Sequence, residues 1–539
     1  MKKGWKKLWA AVLCLTLVTT LGSVRAPARA EDANLVTQAQ ADANFNAEGY
    51  PIVKEKVTKT IMIRQPANIG DPAQMATLNY IADMMNIDIN WIVVGADGWQ
   101  ERVNLMFASG DLPDIIMKGS IPNLSRVIED GQVVAIDDLM QAYSTGLKPL
   151  LERYPGVEAS ARASDGKLYS LPGINTLKAN LTAHRNLWIN KAWLDRLGLA
   201  VPTTTAELLN VLRAFRDQDA DGDGDPTNEI PYAVEDSGAQ HNARPDIISG
   251  LFGIYRNFGY DNVQLVDGKV SFLKTSDIWK QVLQYMNTMY TEGLMDNEVF
   301  TQTSDMSIGK LSSGKVGVFG LSSDDLFTTV SDQYVALAPV QSDDGLAPVI
   351  ALESNSMGSN TFITSADKTP WVSFRLLDYF FTEEGSMTIG CFNKDLIGVT
   401  CQQAADGSWN YSDAMLNDER GVAVAVGEAC PLPRGGFGYW RNENNSNYIY
   451  SKKVQENVPV WEPYYQTTPV YGTPQFDSAT TDRINEIVSD LDVYVNECQA
   501  KFITGEMSFD KWDEYVSTVQ RLNADELVGY YQAYYDSLQ

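Results

Sequence analysis

KTIMIR, residues 59–64, is an apolar run of the length of a buried strand, and it begins the alternation that decides the fold. Helical spacing follows over Met75–Met85, and a second strand pattern over Ile87–Val94 (IDINWIVV). A further helical stretch, Trp99–Ala108, leads into Asp114–Met117 (DIIM). Strand, helix, strand, helix, strand is typical of a mainly parallel sheet, because parallel strands need crossover helices. The sequence therefore predicts an α/β fold.

The C-terminal part of the chain has a different pattern. Apolar residues recur at helical spacing over Ile484–Cys498, over Phe509–Val519 and again over Leu527–Leu538. Many of these residues are aromatic, and aromatic side chains at helical spacing usually belong to a core. We therefore expect a helical C-terminus packed on the rest of the fold.

Residues 1–30 are typical of an export signal. Lysines precede the uncharged apolar run Leu8–Leu21, and Ala28-Arg29-Ala30 offers small residues for cleavage before Glu31. The following residues, 31–50, are small and polar, a composition that predicts a flexible spacer. No later apolar run is long enough to cross a membrane.

The overall charge limits the partners of this chain. Its 539 residues include 69 acidic and 42 basic ones, which gives a net charge of −27. Nucleic acid is not expected as a partner, because phosphate binding needs clustered Lys and Arg. His184 and His241 are the only histidines, and neither G-x-S-x-G nor H-E-x-x-H occurs. The sequence therefore gives little support to an enzyme.

The strongest chemical signal is the acidic stretch 217–231, DQDADGDGDPTNEIP. It follows a capping-box pattern at Thr204 and Glu207 that predicts an amphipathic helix. Crowded carboxylates repel each other without a cation, and Ca²⁺ prefers six to eight oxygen ligands. We expect one structural Ca²⁺, with a solvated acidic turn as the alternative. The predicted ligands are Asp219, Asp221, Asp223, Asp225 (by its carbonyl), Asn228 and Glu229.

Four cysteines follow the predicted signal, and their spacing matches no zinc site. They are Cys391, Cys401, Cys430 and Cys498. In an oxidising compartment a Cys391–Cys401 disulfide is one option, and isolated buried thiols are the other.

Four stretches of the chain, in order, resemble one known family. They are Gly49–Val53 (GYPIV), Leu105–Ile116 (LMFASGDLPDII), the pair Asp165–Pro172 (DGKLYSLP) and Leu187–Leu199 (LWINKAWLDRLGL), and Ala500–Tyr515 (AKFITGEMSFDKWDEY). The family is that of the extracellular solute-binding proteins, family 1, of carbohydrate-type ABC transporters, in the lipoprotein-type group of Gram-positive bacteria.

The resemblance implies a two-lobed periplasmic-binding-protein-like fold with a hinge. It assigns residues 51–175 and 355–400 to the first α/β lobe, and 180–350 and 401–539 to a second lobe with the C-terminal helices. The expected function is capture of a solute, an oligosaccharide above all, for an ABC import system. The expected partners are the permease subunits at the membrane, and the protein itself is expected to be a monomer.

One feature departs from the family. Its Gram-positive members are commonly tethered through a lipidated cysteine, but Ala11-Val12-Leu13 before Cys14 lacks the small residue expected there. We therefore expect a protein that is secreted or held at the extracellular face, without a clear lipobox.

Sugar capture needs aromatic faces and planar polar groups near the lobe edges. The candidate ligand contacts are Trp99, Asp111, Phe258, Asn355, Arg434, Tyr439, Trp440 and Tyr464. For each aromatic residue, packing in the core is the alternative. Two other functions stay open from sequence: a secreted, calcium-stabilised polysaccharide-degrading enzyme, and a surface adhesin or sensor.

Overall fold

The structure is a computed structural model. It describes residues 34–65, 69–176, 186–234, 245–254, 262–321, 328–352, 355–405, 407–420, 422–431, 438–442, 452–467 and 474–538. The predicted signal, residues 1–30, and the candidate contacts Phe258 and Arg434 lie outside these ranges. Within them, no helix is both long and apolar enough to span a bilayer.

The strands of the described chain are short. They are β1 Val57–Gln65, β2 Ile87–Gly95, β3 Ile115–Met117, β4 Ser170–Asn175, β5 Leu187–Asn190, β6 Ile230–Val234, β7 Val263–Val266, β8 Lys269–Phe272, β9 Val316–Gly320, β10 Tyr334–Leu337, β11 Ile350–Leu352, β12 Ser356–Ile363, β13 Cys401–Gln403, β14 Trp409–Tyr411, β15 Trp440–Arg441 and β16 Tyr465–Thr467.

The α-helices surround these strands. They are α1 Leu35–Ala41, α2 Ala76–Met85, α3 Trp99–Ser109, α4 Leu124–Glu129, α5 Asp137–Tyr143, α6 Leu147–Arg153, α7 Pro155–Ala161, α8 Lys191–Leu197, α9 Thr205–Asp217, α10 Pro245–Ser249, α11 Asp277–Thr291, α12 Ser304–Ser312, α13 Pro370–Asp378, α14 Glu383–Thr388, α15 Asp413–Leu416, α16 Val422–Ala429, α17 Lys452–Trp461, α18 Ser478–Thr504, α19 Trp512–Arg521 and α20 Ala524–Ser537.

The first lobe is built on a six-stranded sheet with the order β15-β4-β12-β3-β1-β2. β1 pairs in parallel with β2 and β3, and β15 pairs in parallel with β4. β12 runs antiparallel to both of its neighbours, β3 and β4. The strand–helix alternation predicted from sequence is therefore confirmed, with one reversed strand at the centre.

The inner strands of this sheet are buried on both faces, whereas the edge strand β2 has exposed residues along its length. Ile61 and Ile63 of β1 pack into one apolar cluster, and Met62 between them packs into a second cluster on the other face with Trp99. A strand that is buried on both faces reads as a continuous apolar run. This explains why KTIMIR and DIIM show no polar alternation.

The second lobe has a four-stranded sheet with the order β10-β5-β9-β6. Leu187 and Ile189 of β5 face a large cluster that includes residues of α18, α19 and α20. Trp188 faces the opposite side, where its ring meets Trp461 at a centroid distance of 4.9 Å. The predicted helical C-terminus is confirmed, and its apolar residues form the core of this lobe.

The segment before β1 is ordered in the structure, although composition predicts a flexible spacer over residues 31–50. Helix α1 covers part of it, and Asp42 accepts a hydrogen bond from the Trp371 indole nitrogen at 3.0 Å. The Arg375 guanidinium donates to the backbone carbonyls of Asn46, Ala47 and Gly49. Composition misses this order because it registers neither the bonds of Arg375 to backbone carbonyls nor the packing of a few apolar residues, Ala39 and Phe45, in the core of the first lobe.

The described residues between 401 and 441 contact the first lobe, whereas the resemblance assigns this part of the chain to the second. Cys401 packs with Phe392 and Tyr80, and β15 extends the large sheet beside β4. The chain then enters the second lobe again at α17, whose Val454 and Trp461 belong to the cluster around Trp188.

Three connections join the lobes: 176–186, 352–356 and 441–452. The lobes also touch elsewhere. Ser125, in α4, donates from its hydroxyl to the Phe476 carbonyl at 2.7 Å. The Ser478 hydroxyl, at the start of α18, donates to the Glu129 carboxylate at 2.7 Å.

A buried ion pair ties β1 to the loop before α13. The Lys59 ammonium lies 2.5 Å from Asp367 Oδ1, and the two side chains are 3% and 1% exposed. Lys59 also donates to Thr369 Oγ1 at 2.8 Å, and Asp367 accepts from the Thr369 amide at 2.9 Å. Both charges therefore have the partners that a desolvated pair requires.

Lys59→Ala should destabilise the first lobe by about 3–5 kcal/mol, because it leaves the Asp367 carboxylate buried and unpaired. Urea unfolding followed by circular dichroism measures the change. The control is Lys56→Ala, since Lys56 pairs with Asp88 at 46% and 60% side-chain exposure. That variant should unfold almost as the parent does. Equal midpoints for both variants would contradict the prediction.

Candidate functional site

Most strands of the large sheet end at one edge. β1 ends at Gln65, β3 at Met117, β4 at Asn175 and β15 at Arg441, all running in the same direction. We call this the carboxyl edge, made of residues 65, 118–120, 175–176, 355 and 440–442. Ligands of open α/β sheets bind beyond the carboxyl ends of the strands. The three connections to the second lobe also start here, so this edge faces the other lobe.

Two buried polar side chains, Gln65 and Lys118, lie at the carboxyl edge, and each is only 6% exposed. The Gln65 amide nitrogen donates to the Ile69 carbonyl at 3.3 Å and also to that of Gly70. Its Oε1 is buried and accepts no hydrogen bond within the described chain. A buried acceptor without a donor costs free energy, so Gln65 Oε1 is poised to accept one from a ligand hydroxyl.

Lys118 follows β3 directly, in a left-handed backbone conformation with φ of 61°. Its ammonium donates to the Pro431 carbonyl at 2.9 Å. Burial lowers the pKa of Lys118 to about 8, and the nearby Arg64 acts in the same direction. At neutral pH the ammonium stays charged, and a buried ammonium is a strong donor.

The side chain of Trp99 packs against the backbone of residues 118–120 at this edge. Its indole nitrogen donates to the Ser120 carbonyl at 2.8 Å, and its side chain is buried, with the residue 2% exposed. A Cβ on Gly119 would lie 2.1 Å from the Trp99 ring, so only glycine fits there. The structure thus corrects the sequence expectation of a stacking face: Trp99 supports the backbone of residues 118–120 instead.

Three other candidates, Asn355, Tyr439 and Trp440, meet around the end of β4. The Asn355 amide donates to the Asn175 carbonyl at 2.7 Å, and the Asn175 amide donates to the Asn355 carbonyl at 2.7 Å. The half-buried Trp440 donates from its indole to Thr176 Oγ1 at 3.1 Å. Tyr439 is 1% exposed, so its ring packs in the core and offers no face.

Asp111 and Tyr464 lie elsewhere. Asp111 precedes β3, so it lies at the amino edge of the sheet, opposite the carboxyl edge. The sequence expectation fails there because helix α3 returns the chain to the starting edge before the next parallel strand. Tyr464 lies in a short 3-10 turn of the second lobe, half-buried against the cluster that contains Trp461.

Gln65 and Lys118 are absent from the sequence-based candidates. Both follow or end an apolar run of the predicted parallel sheet, at positions that the carboxyl-edge rule singles out. That rule could have found them. The signal at these two strand ends is a polar side chain after an apolar run, not an aromatic side chain.

The acidic loop lies in the second lobe, between α9 and β6. Thr204 caps α9, accepting from the Glu207 amide at 3.2 Å as predicted. Oxygens of Asp219, Asp221 and Asp223 lie within 4.8 Å of one another and could hold a metal ion. Gly222 and Gly224 have φ of 77° and 93°, conformations that let the loop fold back.

The residues that end this loop complete the oxygen set. Glu229 accepts from the Ala220 amide through Oε1 at 2.8 Å, while its Oε2 is buried and accepts no hydrogen bond within the described chain. The same holds for Asn228 Oδ1. Lys315 donates to Asp223 Oδ2 at 3.0 Å, and this bond is the main reason why the pKa of Asp223 falls to about 2. The loop thus holds two orphaned oxygens beside its cluster of carboxylates.

The chain is similar in sequence to proteins that are already known. A family model described as bacterial extracellular solute-binding protein matches residues 70–387. The fructooligosaccharide ABC transporter substrate-binding protein FusA of Streptococcus pneumoniae is 25% identical over 530 residues, covering 93% of this chain and 94% of that protein.

Solved structures show the same fold. An EF-hand mutant of FusA in complex with fructo-nystose has a TM-score of 0.72 at 23% identity, covering 89% of this chain and 99% of that one. An HMO-binding, ABC-transporter-associated solute-binding protein from Bifidobacterium longum infantis has a TM-score of 0.76 at 22% identity, with coverage of 89% and 99%. The two-lobed α/β fold is therefore confirmed.

Gly119→Ala should destabilise the carboxyl edge, because its methyl group would enter the space of the Trp99 ring. Overpacking of this kind costs about 1–3 kcal/mol, which thermal unfolding measures. The matched control is Gly95→Ala at the end of β2, where an added Cβ meets nothing within 4 Å. Equal melting temperatures of the two alanine variants would contradict this explanation.

Proposed function

The chain belongs to the family of bacterial extracellular solute-binding proteins, and from that premise we propose that it captures an oligosaccharide for an ABC importer. Proteins of this family bind solutes rather than transform them, so the chain is a binding protein and not an enzyme, as its sequence predicts. The observation that carries the proposal is the carboxyl edge, where Gln65, Lys118 and Trp440 lie at the end of the sheet from which the chain crosses to the second lobe.

The chemistry of this edge suits a sugar. Each hydroxyl of a sugar both donates and accepts hydrogen bonds, and Gln65 Oε1 and the Lys118 ammonium supply one acceptor and one donor. The Trp440 ring offers an apolar face for the C–H surface of a pyranose or furanose. The relatives support this class of ligand, because FusA is a fructooligosaccharide-binding protein and the Bifidobacterium protein binds HMO.

The remaining parts of the proposal follow from the family. Asn355, Phe258 and Arg434 stay predicted ligand contacts, with Asn355 the best supported because it lies beside Trp440. We propose that the protein acts as a monomer outside the cell, either secreted or held at the cell surface. Its partners would be the permease subunits, which would receive the ligand from the closed lobes.

Trp440→Ala should weaken oligosaccharide binding about tenfold, because loss of one aromatic face costs about 1.4 kcal/mol. Calorimetry against a panel that includes kestose measures affinity, and scattering tests whether ligand reduces the radius of gyration. Trp409→Ala, on β14 away from the carboxyl edge, is the control and should bind as the parent does.

Two results would count against this reading. Equal affinity of the two tryptophan variants would remove Trp440 from the site. Steady release of shortened sugars by the pure protein would replace the binding function with glycoside hydrolysis.

We also propose that the acidic loop binds one Ca²⁺ with a structural role. Ca²⁺ prefers carboxylate and carbonyl oxygens, and Asp219, Asp221 and Asp223 present them at alternating positions. The orphaned Asn228 Oδ1 and Glu229 Oε2 would complete the set with the Asp225 carbonyl. Bound there, the cation would hold the end of α9 against β6, and the EF-hand of FusA is a related precedent.

Chelation should lower the melting temperature of the protein. A ligand at 100 times its dissociation constant stabilises the native state by about 2.7 kcal/mol when the unfolded chain does not bind it. The double change Asp221→Ala, Asp223→Ala should abolish the response to chelator, whereas the exposed pair Asp343→Ala, Asp344→Ala should retain it.

Lys315→Met adds a second test of the same loop. The Lys315 ammonium occupies Asp223 Oδ2, so its removal should tighten Ca²⁺ binding measured by calorimetry. If no heat of binding is found at millimolar Ca²⁺ in the parent or in this variant, the loop is a solvated turn.

A further inference from the structure

Two buried cysteines lie side by side in the first lobe. Cys391 and Cys430 are both 0% exposed, and they pack with Met415 and Ala425 in one small apolar cluster. Within this cluster Cys430 is the neighbour that most raises the pKa of the Cys391 thiol. Segments far apart in sequence thus bring the two cysteines into one buried cluster, and each is a free thiol in the structure.

The backbone of Cys391 is held in an uncommon conformation. Its φ is 78°, in the left-handed region that residues with a Cβ seldom adopt. The surrounding chain fixes this conformation: the Cys391 amide donates to the Thr388 carbonyl at 3.0 Å, and its carbonyl accepts from Thr400 Oγ1 at 2.6 Å. The side chain of Cys391 is therefore kept next to Cys430.

The other two cysteines are engaged elsewhere. The Cys401 thiol donates to the Asn393 carbonyl at 3.2 Å and packs with Phe392 and Leu396. Cys498 lies on α18 in the core of the second lobe. The sequence leaves open a Cys391–Cys401 bond or isolated buried thiols. All four cysteines are free and buried in the structure, and the cysteine that shares a cluster with Cys391 is Cys430 rather than Cys401.

We propose that Cys391 and Cys430 form a disulfide in the exported protein. The oxidant is an external disulfide, either a thiol–disulfide oxidoreductase or oxidised glutathione. One cysteine thiolate attacks the oxidant and forms a mixed disulfide, and the second thiolate displaces the remaining sulfur. The two cysteines lose two protons and two electrons, and the oxidant leaves as two thiols.

The bond forms during folding rather than afterwards. Contact with Cys430 and burial raise the pKa of the Cys391 thiol well above its ordinary value, and the thiolate is the reactive form. The folded, reduced protein is therefore slow to react. Once formed, the bond fixes the chain next to Pro431, whose carbonyl holds the Lys118 ammonium at the carboxyl edge.

The experiment maps the thiols of the full chain after export by a bacterial host. The collected protein is unfolded without reductant, alkylated, digested and analysed by mass spectrometry. The peptides of Cys391 and Cys430 should appear as one linked species lighter by two hydrogens than its parts, while Cys401 and Cys498 carry the label. Reduction before alkylation should label all four.

Matched variants separate this bond from other thiol chemistry. In Cys430→Ser the Cys391 peptide should become labelled, whereas Cys401→Ser should keep the linked species. Reduction should lower the melting temperature of the parent and of Cys401→Ser by several degrees. The melting temperature of Cys430→Ser should not change on reduction. Full labelling of Cys391 and Cys430 in the exported parent, or a bond mapped to Cys401, would overturn the proposal.

Discussion

The inner strands of the large sheet are buried on both faces, and this constraint governs the rest of the first lobe. With Ile61 and Ile63 covered on one side and Met62 on the other, the middle of β1 has no polar surface. Polar side chains of the inner strands lie mainly where these strands end. Gln65, Lys118 and the residues after β4 occupy that edge, so the polar character of the carboxyl edge follows from burial rather than from any single motif.

The same constraint explains which elements the sequence could predict. KTIMIR and DIIM are recognisable because a strand buried on both faces is apolar throughout, and the C-terminal helices are recognisable because a single apolar stripe repeats along each of them. The cap at Thr204 is a local signal, since its bonds join residues within one turn. These features depend on residues that are close in sequence, and the structure confirms them.

Other features depend on contacts between distant parts of the chain. Arg375 binds backbone carbonyls of the segment before β1, and Ala39 and Phe45 of that segment pack in the core, neither of which composition registers. The return of the described part of residues 401–441 to the first lobe, and the position of Asp111 at the amino edge, follow from topology. The aromatic candidates show the same limit, since periodicity does not distinguish Trp99, which is buried beneath a loop, from Trp440, which is half-buried at the carboxyl edge.

The strands β15, β4 and β12 are neighbours in the sheet; β4 and β15 end, and β12 begins, where the chain passes between the lobes. Neighbouring strands are about 4.8 Å apart, so these three crossing points on the first lobe lie within roughly 10 Å of one another. Of the six degrees of freedom in the relative motion of two bodies, a swing about so short a line is the one that changes the backbone least.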